Sequence, residues 1–154
     1  MAEGGAPAVL VLGVGNVLLG DEGVGVHAVR QLAEEAWPPN VSLLDGGTGG
    51  FHLLSLFSDH QRIVLVDATL DSEPPGTVRL LRPRFASEYP RTLSAHDIGL
   101  RDLVESAALL GLSPEVVLVV VSVAEIGEIG LELSPPVAGA LPKVARLVRE
   151  AVSA

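Results

Sequence analysis

The apolar stretch Ala8 to Val14 breaks into a glycine-rich turn and then presents two adjacent acids, Asp21 and Glu22, ahead of a helical pattern. That order of strand, open turn and helix commits the chain to a βα unit, and strand ends of this kind are where α/β proteins gather their chemistry. Gly13 and Gly15 suggest a dinucleotide fingerprint, but position 18, where the third glycine of G-x-G-x-x-G belongs, holds Leu18. Asp21 and Glu22 would also repel a pyrophosphate at the helix entrance. A P-loop is excluded more firmly, because no Gly-Lys-Ser/Thr occurs and Lys143 is the only lysine.

The rest of the chain continues the alternation. Gly23 to Ala36 reads as an amphipathic helix stopped by Trp37-Pro38-Pro39, and Val41 to Leu44 as a second strand leading into the loop D-G-G-T-G-G. A short helix is expected near Phe51 to Phe57, a third strand over Arg62 to Val66, and a further strand over Thr77 to Leu81 after the turn Pro74-Pro75-Gly76. Arg79 and Arg82 place that further strand near a sheet edge. Asp97 to Leu110 reads as a helix and Glu115 to Val123 as a central strand. Ser134 to Val152 reads as a closing helix, with Pro135 and Pro136 at its start and a kink at Pro142. The fold expected is a single-domain three-layer αβα sandwich over residues 1–154, with a mainly parallel twisted sheet between its helices.

Composition narrows the function. Ten Lys and Arg face 19 Asp and Glu, and the net charge of -9 argues against nucleic acid and anionic membrane as partners. The absence of cysteine removes disulfides, thiolate metal sites and Cys nucleophiles together. No basic segment opens Met1 to Pro7, and the apolar run Val116 to Ala124 is too short to span a bilayer, so a cytoplasmic protein is expected.

The turn after the first strand leads to Glu22, the second strand ends on Asp45 and the third on Asp67, so a parallel sheet would carry all three carboxylates to one edge. A further loop, S-A-H-D-I-G-L, brings in His96. Carboxylates gathered without a nearby cation repel one another, and a metal is the simplest resolution. Glu22, Asp67 and His96 offer two carboxylates and an imidazole, a set suited to ions of the zinc, nickel or manganese type. Taken singly, Asp45 and Asp67 also read as turn-capping acids, His96 as an ordinary loop histidine, and His27 and His52 as helix residues. Trp37 is expected to pack the end of the first helix. The glycines beside Asp45 read either as a tight connection or as a close approach to a peptide.

The segments G-V-G-N-V-L-L-G-D-E-G-V-G at Gly13 to Gly25, L-D-G-G-T-G-G at Leu44 to Gly50, L-V-D-A at Leu65 to Ala68 and S-A-H-D-I-G-L at Ser94 to Leu100 resemble those of the hydrogenase maturation endopeptidases, in the same order and spacing. The resemblance covers nearly the whole chain, with Val123 to Leu133 the weakest part, and no role passes to Glu125 or Glu128. It implies a monomeric endopeptidase of metallo or aspartic-like type that trims the C-terminal extension from the large-subunit precursor of a nickel-iron hydrogenase after nickel insertion. It also implies that Glu22, Asp67 and His96 are the catalytic and metal-contacting residues, and that Asp45, Gly46, Gly47 and Thr48 contact the substrate. Nickel would arrive with the substrate, zinc or cadmium standing in for it in vitro. No serine elbow or H-E-x-x-H occurs, which removes two common protease mechanisms. A nickel-dependent module that docks on the precursor without cutting it, a nucleotide-binding domain, and an endopeptidase acting on another protein stay open at this point.

Overall fold

The computed structural model describes residues 7–48, 53–84, 88, 100–124 and 129–153. One sheet organises them. Its strands are β1 (Val9–Gly13), β2 (Val41–Asp45), β3 (Arg62–Thr69), β4 (Val78–Leu81) and β5 (Glu115–Ser122), in the spatial order β2-β1-β3-β5-β4. All neighbours are parallel except β4, which runs antiparallel to β5 at the edge where Arg79 was expected to place it. The strand expected to be central, β5, lies inside the sheet, but the middle position belongs to β3.

Helices α1 (Val24–Leu32) and α5 (Leu141–Ser153) cover one face, burying Val24, Ala28, Val29, Val144 and Val148 against the odd-numbered valines of β1 and β5. On the other face α2 (Leu54–Asp59) and α3 (Leu100–Leu109) set Phe57, Leu103 and Ala107 against Leu10, Leu12, Ile63, Leu65 and Leu118. Strands buried on both faces explain why β1, β3 and β5 read as unbroken apolar runs rather than alternating ones. The result is the three-layer αβα arrangement the sequence implied.

Three elements depart from the sequence reading. The first helix is preceded by a 3-10 turn over Gly20–Gly23 and ends at Leu32, four residues before Ala36, where the Trp37 indole N–H donates to the Leu32 carbonyl at 2.8 Å. Trp37 thus packs the end of α1 as expected, with the Arg149 guanidinium 4.0 Å over its ring. The closing helix is two helices, α4 (Pro135–Ala138) and α5, separated at Gly139 and Ala140. Pro142 therefore falls in the first turn of α5, where a missing N–H leaves no bond unmade, and it starts a helix instead of kinking one. Finally, β3 continues past Val66 to Thr69, so Asp67 lies within a strand. The expected helix start at Asp97 and the short helix start at Phe51 lie outside the described residues.

Candidate functional site

From β1 the chain crosses through α1 to β2 on one side, and β3 then pairs with β1 on the other. The carboxyl end of β1 is therefore a switch point, the place where an open parallel sheet leaves a crevice. Gly13 closes β1 in register with Asp45 of β2 and Val66 of β3. Asp67 is thus the first β3 residue above the end of β1, at the floor of that crevice despite lying inside its own strand.

The 3-10 turn carrying Glu22 packs on β3 from above. Its approach is very close. A Cβ on Gly25, one turn after Glu22, would lie 2.1 Å from the Val66 carbonyl oxygen and 2.5 Å from that of Val14. Only glycine lets the start of α1 sit against the sheet here. The consequence is two deeply buried carboxylates on contacting elements, Glu22 at 2% exposure and Asp67 at 1%. The Ala68 N–H donates to Asp67 Oδ1 at 2.7 Å and fixes one of its oxygens.

Asp45 belongs to the neighbouring strand end, about 10 Å away across two strand spacings. It is not a carboxylate without a cation. Arg30 Nε donates to its Oδ2 at 2.9 Å, and the Gly47 N–H donates to its Oδ1 at 2.8 Å. The Arg30 contact corrects the premise that no basic group stands near the acids. Arg30 lies late in α1, but helical side chains lean toward the N-terminus, which carries its guanidinium back to the carboxyl edge of the sheet. Gly46 and Gly47 make a tight connection: Gly46 N–H donates to the Gly13 carbonyl at 2.8 Å and Gly15 N–H to that of Gly47 at 2.6 Å. Gly47 has φ +57° with open space beside it, and Thr48 is exposed.

Asp21 has a different task from its neighbour. Its two oxygens accept the Ser134 N–H at 2.7 Å and the Ser134 hydroxyl at 2.6 Å. Alongside, Gly20 N–H donates to the Gly130 carbonyl and Gly130 N–H to that of Leu18, joining Leu19 and Gly130 in a parallel bridge. The loop after β1 is thereby tied to the segment after β5. Neither this tie nor the Arg30 contact was read from the sequence. A serine before Pro135-Pro136 looks like a helix cap, yet here the hydroxyl turns away to Asp21.

His96 lies outside the described residues, as do Gly49, Gly50, His52, Glu125 and Glu128. Among the described residues, no group of three or more His, Asp or Glu side chains is placed to hold a metal. His27 is half-buried on α1. Burial, and then the nearby Arg30 charge, hold its pKa below the ordinary value of 6.5. No helix among the described residues is long and apolar enough to cross a membrane.

Residues 26–151 match the family model described as hydrogenase maturation protease. The hydrogenase expression/formation protein HupD of Rhodobacter capsulatus is 39% identical over 149 residues, covering 92% of this chain and 70% of that protein. The hydrogenase 2 maturation protease of Escherichia coli is 34% identical over 149 residues, covering 92% and 91%. Among solved structures, the hydrogenase maturating endopeptidase HybD from Escherichia coli superposes with a TM-score of 0.81 at 33% identity, covering 94% of this chain and 91% of that one.

Proposed function

The chain belongs to the hydrogenase maturation protease family, and on that premise we propose that it removes the C-terminal extension of a nickel-iron hydrogenase large-subunit precursor after nickel insertion, reading nickel in the precursor as the signal to cut. The observation that carries this reading is the pair of buried carboxylates, Glu22 and Asp67, at the switch point of the sheet. Burying two acids on contacting elements is costly unless a cation or a shared proton offsets their repulsion. A divalent ion delivered with the correct precursor is a cation of that kind.

In this scheme Glu22, Asp67 and His96 approach nickel held in the precursor and bring the scissile peptide into register. Two carboxylates and an imidazole also accept zinc or cadmium in vitro. The chain has no cysteine and no serine elbow, so the reading assigns the attack to water. Its oxygen adds to the scissile carbonyl carbon, the C–N bond breaks, and a proton passes to the leaving amine. Asp45, Gly46, Gly47 and Thr48 contact the peptide from the neighbouring strand end, with Asp45 held in one orientation by Arg30 and Gly47. The protein works as a monomer in the cytoplasm, where the precursor is matured.

The test mixes the purified protein with nickel-loaded and nickel-free precursor and weighs the precursor afterwards. Loss of a C-terminal peptide from the loaded sample alone is expected. Cleavage of both would remove nickel as the signal, and stable binding without cleavage of either would replace the protease with a docking module.

A further inference from the structure

Large apolar side chains left exposed are unevenly placed. Among the described residues, Leu18, Leu44, Leu70, Ile129 and Leu131 all stand at the carboxyl edge of the sheet, around the buried acids, whereas Leu109 and Leu110 stand at the opposite end. Two of the edge residues form one rim: Ile129 is 88% exposed and Leu131 67%. They border a groove of about 700 Å³ whose floor includes Leu19, Asp21, Pro75 and Pro136. Gly20 and Asp21 of the 3-10 turn line this groove and Glu22 belongs to the same turn, so one short element borders both the groove and the buried acids.

Two features distinguish this rim from scattered surface leucines. The first is rigidity. The Leu19–Gly130 bridge and the two Asp21–Ser134 hydrogen bonds hold the backbone beside Ile129 and Leu131 in place, so docking there orders little new structure. The second is charge. The groove lining has two acids and no base. Asp21 is committed to Ser134, whereas Glu132, exposed between Leu131 and Leu133, has no ion-pair partner among the described residues.

We propose that the groove bordered by Leu19, Ile129 and Leu131 is the docking surface for the precursor segment flanking the cleaved bond, and that this segment is apolar and carries a basic residue that pairs with Glu132. The inference rests on the protease reading given above and adds to it how the peptide is held. The apolar rim supplies affinity by leaving water, and the carboxylate sets which end of the peptide lies nearest Glu22.

The experiment compares processing of nickel-loaded precursor by the wild-type chain, the double variant Ile129→Ser/Leu131→Ser, Glu132→Lys, and Leu109→Ser as a control at the far end of the molecule. The double variant is expected to raise KM about tenfold to a hundredfold with kcat within about twofold. Glu132→Lys raises KM about fivefold to tenfold, by an amount that shrinks with salt. Leu109→Ser leaves both constants unchanged. Wild-type KM in the double variant overturns the proposal. So does a wild-type dimer that the double variant converts to monomer, since the rim would then be covered by a second copy. If the wild-type chain cuts no precursor, the protease reading fails by itself. The groove is then judged by precursor binding, where loss in the double variant supports it and equal binding overturns it. All variants lie on exposed positions, and circular dichroism confirms that each is folded.

Discussion

The two ends of the sheet are built on opposite principles. At the carboxyl edge, backbone meets backbone: the start of α1 lies so close to β3 that Gly25 has no room for a Cβ, and two carboxylates are sealed beneath it. At the amino edge, α2, α3 and the start of β5 leave a roomier cavity of about 990 Å³ lined by Phe57, Val104, Leu112 and Val116. Its charged neighbours, Arg82, Arg84, Glu105 and Glu115, are all exposed, and Glu115 is spent on Arg62 and Arg82. The larger cavity therefore holds none of the buried charge. Size measures how loosely helices cover a sheet, whereas buried charge measures what the fold has been made to tolerate.

That contrast can be broken or sharpened by substitution. The largest effect is expected at the proposed reacting acids: Glu22→Gln or Asp67→Asn should lower processing at least about a thousandfold, or roughly 4 kcal/mol of barrier, with thermal stability equal to or above wild type. A comparable loss of stability in either variant would make these acids structural. Next comes the close approach. Gly25→Ala should cost about 3 kcal/mol or more in denaturant unfolding, because its Cβ would meet backbone oxygen at 2.1 Å. Gly47→Ala, with open space but φ +57°, should cost only about 1 kcal/mol. At the amino edge, Phe57→Ala should remove about 3 kcal/mol of stability while the folded fraction processes at the wild-type rate. A changed kcat there would show that the two ends are coupled.

The smallest effect is a pH dependence. Burial and then the Arg30 charge hold the His27 pKa below its ordinary value in the folded chain, so the unfolded chain binds its proton more readily. Above the ordinary value of 6.5 both states are neutral and His27 contributes no slope. As pH falls below 6.5 the unfolded state gains protons first and stability declines, levelling off once the folded pKa is passed. His27→Gln should remove this part of the decline in melting temperature below about pH 6.5, leaving the rest of the profile in place.

Strand β1 and its turn were legible because β-branched residues, glycines and acids follow one another in an order that few local structures accept. Asp67 was read as a strand end because an acid usually closes an apolar run. It lies within β3 because β5 extends alongside it to Ser122 and completes its pairing. The order β2-β1-β3, which makes the end of β1 the crevice, is a tertiary fact with no local signature. The same holds for Arg30 on Asp45, which depends on how far a guanidinium reaches back along a helix. The split between α4 and α5 was missed because prolines at positions 135, 136 and 142 suit one kinked helix as well as two capped ones.

The link between Asp21 and Ser134 joins residues 113 positions apart, and that distance imposes an order of events on synthesis. At ordinary translation speeds Ser134 is made on the order of 10 s after Asp21. Until then the loop after β1 lacks its tie to the segment after β5, and closing so long a loop is an entropic step taken late in folding. A nascent chain can pair its first strands yet possesses no finished groove until the segment after β5 has been made.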